Sequence, residues 1–377
     1  MPFEFIAQHL QARKEDALLR QRQLVEESNG RFIRIAGKQY LNFASNDYLG
    51  FADELVTVSE LPLGSHSSAL VNGYNKPQQA LEQRLCELLG YESAMLFNSG
   101  FSANSSVLKA LFNDKAVAQS AAIFQDKLNH ASLIDGGLHS QAAMVRFNHN
   151  DLKHLESRIQ KSKAKHKLIV SEGVFSMDGD KAPVAQLCEL AHNYNAWLMI
   201  DDAHGFGVLG KHGLGSCEVH KPDLLIITFG KALASSGACL LASKSVIDYM
   251  LQFNRDYIYS TAMSPVMASS TRVQLEKILA ADNKRMQLFK NIAYFKTLAK
   301  AKNLALMDSD TAIQPLVLGD AAQTVDVANK LKQCGIWLTA IRPPTVPFNT
   351  SRLRVTLSSA HQLDDINTLV DTLVECL

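Results

Sequence analysis

The sequence predicts an α/β protein with a large domain built on a largely parallel sheet and a smaller C-terminal α+β domain. Two observations carry this prediction. From about residue 75 to about residue 230, short apolar strands alternate with helices, which is typical of parallel strands covered by helices on both faces. From about residue 270 the strands become fewer and helices separate them.

The length of the chain, 377 residues, exceeds what one hydrophobic core usually supports. We therefore predict an N-terminal helix and β-hairpin arm over residues 1–45, a large domain over 46–269 and a C-terminal α+β domain over 270–377. No repeat, low-complexity run or long linker interrupts this order.

The elements follow from local patterns, taken in chain order. Residues 3–28 have apolar side chains at helical spacing and predict an amphipathic helix, and residues 31–44 predict a hairpin that turns at Ala36 and Gly37. The large domain then alternates between helices (76–90, 101–112, 151–162, 183–195) and strands (93–97, 121–126, 142–147, 167–175, 197–202, 223–229). The C-terminal part contains a helical stretch (264–302), strands (312–318, 336–341, 352–357) and helices (321–335, 364–377).

The composition is that of an ordinary globular enzyme, with 47% apolar and 20% charged residues. A net charge of +1 gives no electrostatic case for binding nucleic acid or an anionic membrane. The six cysteines are scattered without a C-x-x-C pair, which favours reduced thiols over disulfides or zinc ligands. The N-terminus lacks the basic start and apolar core of a signal peptide, and we expect a cytoplasmic protein.

The stretch "WLMIDDAHGFGVLG" (197–210) contains the dinucleotide-binding pattern G-x-G-x-x-G, from Gly205 to Gly210. That fingerprint requires a strand, a glycine turn and then a helix whose N-terminus holds the pyrophosphate. Here "KHGLGS" follows the glycines, and it is too glycine-rich to start a stable helix. A loop beside a site is the favoured interpretation, and an NAD-dependent oxidoreductase stays as the alternative of a different class.

Polar residues at two strand ends predict the site. Asp201, Asp202 and His204 follow one buried strand, and Lys231 ends the next, between Gly230 and the small residues "ALASSG". Side chains at the carboxyl ends of such strands point into the ligand crevice, and a lysine in a partly dry pocket can act as an amine nucleophile. The carboxylate–histidine group offers no third ligand at metal spacing, so we predict no metal, and Asp202 is expected to cap a loop or pair with a helix.

An amine, a carboxylate and an imidazole in one crevice predict pyridoxal phosphate, with Lys231 as the Schiff-base lysine and a carboxylate keeping the pyridine nitrogen protonated. The phosphate needs backbone N–H donors at a helix start, which residues 99–101 supply in "NSGFSANSSVLKAL". His130, at a strand-to-helix junction, offers a ring to cover the cofactor. From its position alone, it is equally consistent with a capping or packing histidine.

The sequence resembles the α-oxoamine synthases, pyridoxal-phosphate enzymes of the aspartate-aminotransferase fold (fold type I). The resemblance extends over residues 41–361 and implies a mostly parallel seven-stranded sheet in the large domain. It rests on "LNFASNDYLGF", "LFNSGFSAN", "DKLNHASLIDG", "SEGVFSMDGDKAPV", "IDDAHGFGVLGKHGLGS", "TFGKALASSGA", "YIYSTAMSP" and "IRPPTVPFNTSRLRVTLSSAH".

The resemblance implies a role for each matching residue. Those expected at the cofactor are Lys231 (covalent attachment, then movement of the Cα proton), Asp201 (pyridine nitrogen), His204 and Ser176 (ring hydroxyl), His130 (stacking on the ring), Ser99, Gly100, Phe101 and Thr228 (phosphate), and Thr261 (phosphate of the partner subunit). Those expected at the substrate are Arg352, which binds the amino-acid carboxylate, Asn46 and Arg20. Arg354 shares a strand face with Arg352 and is the alternative carboxylate ligand. Thr261 reaching across subunits implies a homodimer with shared active sites.

The last matching segment favours the branch of the family that condenses L-alanine with a pimeloyl thioester, a step of biotin biosynthesis that releases carbon dioxide and the free thiol. The acyl carrier can be coenzyme A or an acyl carrier protein. A sibling reaction using glycine or serine with another acyl-CoA is the first alternative, and a pyridoxal-phosphate-binding protein without turnover is another.

The segment "GSHSSALVNGYNKPQQALE" departs from the family pattern. Ala69 stands where an arginine is expected and Gln78 where a histidine is expected, and the stretch between Gly50 and Gly64 is short. These departures concern the acyl-substrate side and leave the cofactor positions intact.

Overall fold

The structure of the protein, a computed structural model, describes residues 3–58 and 60–377. Met1 and Pro2 of the predicted arm and Ser59 of the predicted large domain lie outside the described residues. The chain divides into a first unit (Met1–Asp53, Ser176–Asp180 and Asn283–Leu377) and a second unit (Glu54–Phe175 and Lys181–Asp282). The predicted arm and the predicted C-terminal domain thus fall largely into one unit, and the domain boundaries after residues 45 and 269 stay a prediction.

The strands and helices are numbered in chain order. The strands are β1 (Glu27–Asn29), β2 (Phe32–Ile35), β3 (Lys38–Asn42), β4 (Ser93–Phe97), β5 (Ala121–Asp126), β6 (Ala143–Phe147), β7 (His166–Glu172), β8 (Trp197–Asp201), β9 (Leu224–Thr228), β10 (Ala238–Ala242), β11 (Ile313–Gly319), β12 (Ile336–Trp337), β13 (Ala340–Ile341) and β14 (Ser351–Thr356). The α-helices are α1 (Glu4–Glu15), α2 (Lys76–Leu89), α3 (Gly100–Leu111), α4 (Lys115–Ala118), α5 (Ala131–His139), α6 (Leu152–Lys161), α7 (Val184–Asn193), α8 (Lys244–Phe253), α9 (Arg255–Ile258), α10 (Pro265–Leu279), α11 (Asp282–Ala301), α12 (Ala321–Gln333) and α13 (Leu363–Cys376).

The second unit is built on a seven-stranded sheet with the order β4-β10-β9-β8-β7-β5-β6. Strands β5 to β9 pair in parallel, and β10 is antiparallel to both of its neighbours, β4 and β9. Every residue of β5 and β10 is buried, as expected for strands covered on both faces. The predicted α/β class with a mostly parallel seven-stranded sheet is confirmed.

Strand β10 is the element of this sheet that the sequence does not predict. Its five residues, "ACLLA", form a continuous buried run, and such a run carries no period that separates a strand from a buried helix segment. Because β10 is antiparallel to β4 and β9, its first residue lies at the end of the sheet where the last residues of those two strands lie.

The N-terminal helix is shorter than predicted. It ends at Glu15 instead of continuing to about residue 28, and none of its residues is buried. Ala17 follows with a φ of 55°, a left-handed conformation that cannot continue an α-helix. The prediction of a long amphipathic helix is therefore wrong, because spacing alone does not show where the backbone leaves the helical region.

The first unit contains two small sheets, with the orders β1-β2-β3-β12 and β11-β14-β13. The predicted strand 336–341 is divided between them, since β12 pairs in parallel with β3 and β13 pairs antiparallel with β14. Trp337 of β12 packs edge-on against Tyr40 of β3, with 5.7 Å between ring centroids. Strand β14 is buried along its whole length and carries Arg352 and Arg354.

No helix among residues 3–58 and 60–377 is both long and apolar enough to cross a membrane.

Candidate active site

A cavity of about 270 Å³ lies in the second unit, where β8 and β9 end and helix α3 begins. Most of the residues predicted to hold the cofactor line it. The lining residues are Asn98, Ser99, Gly100, Phe101, Asn104, His130, Ser132, Glu172, Asp201, Ala203, His204, Thr228, Gly230, Lys231, Ser235, Ser236 and Gly237. The predicted lysine, carboxylate, histidines and helix start thus meet in one cavity.

Asp201, the last residue of β8, is a buried carboxylate of this cavity. Its Oδ2 accepts a hydrogen bond from Asn104 Nδ2 at 2.6 Å, and its Oδ1 accepts one from the Ala203 N–H at 3.0 Å. Burial raises the pKa of the Asp201 carboxyl group, and the Asn104 hydrogen bond acts against that rise. A cationic group beside this carboxylate is therefore favoured, and a protonated pyridine nitrogen is such a group.

His130 is the N-cap of helix α5. Its Nδ1 accepts a hydrogen bond from the main-chain N–H of Ser132 at 3.2 Å and lies 2.8 Å from Ser132 Oγ. The main-chain N–H of His130 donates to Glu172 Oε1 at 2.6 Å. The imidazole stands edge-on to Phe101, with 6.5 Å between ring centroids. Burial lowers its pKa; Asp201 and Asp135 act against that, and Lys231 adds to it. The capping interpretation is thus correct, and the same ring also lines the cavity.

Helix α3 begins beside Thr228, the last residue of β9. Its N-cap Ser99 accepts a hydrogen bond from the Ser102 N–H at 3.1 Å, which leaves the first N–H groups of the helix, at Gly100 and Phe101, without an intrahelical partner. A Cβ on Gly100 would lie 2.6 Å from Thr228 Cγ2, so only glycine fits there without a shift. Thr228 Oγ1 is buried and has no hydrogen-bond partner in the described chain. Unpaired donors beside an unpaired hydroxyl fit a phosphate group.

Lys231 lies in the connection between β9 and β10. Two main-chain hydrogen bonds close this connection, from Phe229 N–H to Gly237 O at 2.9 Å and from Ser235 N–H to Phe229 O at 2.8 Å. The glycine-rich loop packs behind it, because a Cβ on Gly207 would lie 2.7 Å from Ala232 Cβ. The lysine is half-buried and lines the cavity.

The G-x-G-x-x-G stretch forms a turn and not a dinucleotide cradle. A short 3₁₀-helix, Lys211–Gly213, follows it where the fingerprint requires a long α-helix. The turn encloses the buried carboxylate of Asp202, which accepts hydrogen bonds from the N–H and Oγ of Ser216. Burial raises the pKa of Asp202 to about 7. Its predicted loop-capping role matches these contacts.

Thr261 lies outside the cavity, on an exposed segment. Its carbonyl accepts a hydrogen bond from Asn98 Nδ2 at 2.9 Å, and its main chain forms a β-bridge with Ser68. Gln78, which replaces the expected histidine, supports the same segment because its buried amide donates to the carbonyl of Met263. The departure at Gln78 is therefore accommodated by a specific hydrogen bond.

Four predicted site residues lie in the first unit. Arg20 is exposed and donates to Thr345 Oγ1 at 3.0 Å. Arg352 forms a buried ion pair with Asp178. The other two meet at Arg354, whose guanidinium donates to Ser176 O at 2.6 Å and to Asn46 Oδ1 at 3.2 Å. Arg352 thus has a carboxylate partner, whereas the neighbouring arginine bonds to neutral oxygens.

Asn104, Ser132 and Glu172 are residues of the cavity that sequence reasoning missed. Asn104 and Ser132 are buried on helices whose other buried residues are mainly small or apolar, and they bond to each other at 3.0 Å. A polar residue on the buried face of a helix was the signal that could have identified them.

A second, larger cavity of about 470 Å³ lies at the other end of the sheet, where β7 and β8 begin. It is lined by residues such as Phe112, His166, Trp197 and Tyr249 and contains none of the predicted site residues. Volume alone would select this cavity, but the polar groups converge in the smaller one.

The fold and the polar groups of the smaller cavity define a pyridoxal-phosphate-dependent enzyme of fold type I. Residues 38–373 match the family described as aminotransferase class I and II, and the chain belongs to that family. The predicted resemblance to α-oxoamine synthases and the predicted cofactor are confirmed.

Two named relatives indicate which branch of the family the chain resembles. The chain is 45% identical over 379 aligned positions to the 8-amino-7-oxononanoate synthase of Yersinia pseudotuberculosis, with 98% of this chain and 97% of that protein covered. It is 44% identical to the enzyme of the same name from Sodalis glossinidius, with 97% and 95% covered. These relatives support a role in biotin biosynthesis.

Solved structures show the same fold. A serine palmitoyltransferase from S. paucimobilis superposes with a TM-score of 0.91 at 24% identity, covering 100% of this chain and 97% of that one. An 8-amino-7-oxononanoate synthase from Francisella tularensis superposes with a TM-score of 0.74 at 28% identity, covering 89% and 97%.

Proposed function

We propose that the protein catalyses the decarboxylative condensation of L-alanine with a pimeloyl thioester to give 8-amino-7-oxononanoate, carbon dioxide and the free thiol. One observation carries the proposal: Lys231, Asp201 and the start of α3 line one cavity in a chain 45% identical to synthases of that name over nearly its whole length. The acyl carrier is coenzyme A or an acyl carrier protein.

The bound cofactor supplies an electron-accepting ring that stabilises negative charge at the Cα of the amino acid. Lys231 would hold the cofactor through its amine, and with L-alanine bound the free amine would be the base that removes the Cα proton. Asp201 would keep the ring nitrogen protonated, because a nearby cation stabilises a carboxylate whose charge is disfavoured by burial. His204 and Ser176 hold the ring hydroxyl, and His130 covers the ring.

The bonds exchanged in the reaction balance. A carbon–carbon bond forms between the alanine Cα and the thioester carbonyl, and the carbon–sulfur bond breaks to release a thiolate, which takes up a proton from water to become the thiol. The alanine carboxylate then leaves as carbon dioxide, and Lys231 is the residue placed to return a proton to the Cα.

The phosphate is held at the start of α3. The N–H groups of Gly100 and Phe101, next to the N-cap Ser99, are donors to its oxygens, and the unpartnered hydroxyl of Thr228 adds another. A phosphate at this end also benefits from the helix dipole.

A homodimer completes this site in the proposal, with Thr261 reaching the phosphate held by the partner subunit. The exposed position of Thr261 supports this role. So does the one-turn π-helix Ala69–Gly73 that follows its bridge partner Ser68, because Leu70 and Val71 there are large apolar side chains left exposed on this chain.

Arg352 binds the carboxylate of L-alanine, and Asn46 and Arg20 lie along the substrate. The substrate carboxylate then accepts hydrogen bonds from the Arg352 guanidinium, which forms an ion pair with Asp178 in the structure. Arg354 is the weaker candidate, because its guanidinium already donates to Ser176 O, Thr356 Oγ1 and Asn46 Oδ1.

The test is a visible spectrum of the purified protein with and without L-alanine and pimeloyl-CoA, alongside Lys231→Ala. We expect a yellow protein whose band shifts with L-alanine, and a variant whose cofactor is not fixed by borohydride. A colourless protein that binds NADH would overturn the proposal in favour of the oxidoreductase.

A panel of amino acids and thioesters, read by release of carbon dioxide and thiol, separates L-alanine with a pimeloyl thioester from the sibling reactions of glycine or serine. Comparing pimeloyl-CoA with a pimeloyl acyl carrier protein in the same assay identifies the carrier. A protein that binds the cofactor but shows no spectral change with any amino acid would be a binding protein without turnover.

A further inference from the structure

His130 uses one of its two ring nitrogens to begin helix α5. The main-chain N–H of Ser132 points at His130 Nδ1, with 3.2 Å between the nitrogens. A main-chain N–H can only donate, so Nδ1 has to be the acceptor and carries no proton. A neutral imidazole in this position therefore bears its proton on Nε2, since one nitrogen of the neutral ring donates and the other accepts.

A side-chain hydrogen bond reinforces the same arrangement. The hydroxyl of Ser132, which is fully buried, lies 2.8 Å from His130 Nδ1 and 3.0 Å from Asn104 Nδ2. The amide nitrogen can only donate, so the hydroxyl oxygen accepts from Asn104 and its own proton is left for Nδ1. The chain of donors therefore runs in one direction, from Asn104 to Ser132 to His130.

The orientation of the Asn104 amide is set by Asp201. The two N–H bonds of Asn104 Nδ2 serve two acceptors, Asp201 Oδ2 at 2.6 Å and Ser132 Oγ at 3.0 Å. Turning the amide over would place its oxygen against the carboxylate oxygen, with two acceptors facing each other. The negative charge of Asp201 thus fixes the direction in which the donors run to the imidazole.

We propose that Asn104 and Ser132 are positioning residues that hold His130 as a neutral imidazole with its proton on Nε2. The one ring nitrogen left to meet a substrate is then a hydrogen-bond donor, and it stays one as long as the helix cap is intact. The part of this proposal that concerns a substrate rests on the proposed function, whereas the position of the proton does not.

The position of the proton can be read directly by nitrogen NMR of the pyridoxal-phosphate-loaded protein labelled with ¹⁵N-histidine. The signal of His130 is identified by its loss in His130→Gln. We expect the shift pattern of a neutral ring protonated on Nε2 at pH 7. A ring protonated on Nδ1, or a doubly protonated ring at that pH, overturns the proposal, and no variant at Asn104 or Ser132 is needed for this result.

The positioning role is tested by Ser132→Ala, which removes the hydroxyl and keeps the main-chain N–H. Loss of one hydrogen bond of about 1 kcal/mol should lower the ratio of the Nε2-protonated to the Nδ1-protonated form about fivefold. The matched control is Ser140→Ala at the other end of α5, where the hydroxyl bonds to Gly137 O at 2.8 Å. An unchanged ratio in Ser132→Ala would remove Ser132 from the role, whereas a change in both variants would indicate a general effect on the helix.

Measuring the same spectra with and without L-alanine separates this proposal from the proposed function. A protein that has the proton on Nε2 but never responds to L-alanine contradicts the proposed function alone. An active synthase with the proton on Nδ1 contradicts only the proposal about Asn104 and Ser132.

Discussion

The carboxylate of Asp202 accepts two hydrogen bonds from Ser216, one from its N–H at 2.9 Å and one from its Oγ at 2.6 Å. Three glycines surround this pair. A Cβ added at Gly173, Gly205 or Gly215 would come within 2.1 to 2.2 Å of an oxygen of that carboxylate. Glycine is therefore needed at these three positions, because the buried carboxylate of Asp202 fills the space that a side chain would occupy.

Replacing Gly205 by alanine should destabilise the protein by about 1–3 kcal/mol, because the added methyl group overlaps the Asp202 carboxylate in a closely packed turn. Urea unfolding measures the change. Gly64→Ala is the control, since no atom lies within 4 Å of a Cβ there, and it should leave the free energy of unfolding nearly unchanged. Equal losses in the two variants would contradict the steric explanation.

Thr228→Val should weaken the binding of pyridoxal phosphate about fivefold, which corresponds to one hydrogen bond of about 1 kcal/mol. The apoprotein should not lose stability, because Thr228 Oγ1 is buried without a partner in the described chain. Equilibrium binding of the cofactor and urea unfolding of the apoprotein give the two numbers. A destabilised apoprotein with unchanged cofactor affinity would mean that the hydroxyl serves the fold and not the phosphate.

Gln78→Leu should cost about 1–3 kcal/mol of stability, because it removes a buried amide that pairs with two main-chain groups and leaves both of them without that partner. These are the Met263 carbonyl, which accepts from the Gln78 amide, and the Asn75 N–H, which donates to Gln78 Oε1 at 3.2 Å. Gln79→Leu makes the same change on the exposed side of α2 and should be close to neutral. Chemical unfolding of both variants provides the comparison, and a neutral Gln78→Leu would remove this residue from its supporting role.

His361 in the first unit is a histidine whose burial favours the neutral form. Its Nδ1 accepts from the Ser358 N–H at 3.0 Å, and its Nε2 lies 2.9 Å from the Asn42 carbonyl, to which it donates. The ring packs on Phe43 at 4.2 Å between centroids. Burial lowers its pKa to about 4.

The stability of the protein should therefore fall as the pH drops from about 6.5 to 4. In that range the unfolded chain binds a proton at His361 and the folded chain does not, so protonation favours unfolding by up to about 3 kcal/mol. Urea unfolding across this range should show a shallower loss for His361→Gln than for the wild type. The exposed His192→Gln should keep the wild-type slope, and an identical slope in all three proteins would exclude His361 as the cause.

Six of the seven strands of the large sheet were predicted, because each forms a short apolar run and most of these runs alternate with predicted helices. Strand β8 ends at Asp201 and β9 ends at Thr228, close to their predicted ends. Strand β10 was missed because its continuous apolar run has no period that separates a strand from a buried helix segment. The partners of a strand are long-range properties, and for this reason residues 336–341 were read as one strand instead of two.

Most of the residues that carry charge or a ring at the site could be found from strand ends and resemblance, whereas the hydrogen-bond partners of the residues that orient them could not. Asp201 and Lys231 stand out because an ionisable group follows a buried run. Asn104 acts through a hydrogen bond to a residue 97 positions away, and no local pattern reports such a partner.

The reversed direction of β10 also limits how Lys231 can move. A lysine in a crossover between parallel strands would lie in a long connection. Lys231 instead lies in a hairpin, and the two strands that flank it, β9 and β10, pair with each other in the central sheet. Neither strand can shift without breaking strand pairing. In the proposed reaction the amine moves between cofactor and substrate, and rotation about the four carbon–carbon bonds of the Lys231 side chain has to supply that movement. The backbone serves as a fixed pivot.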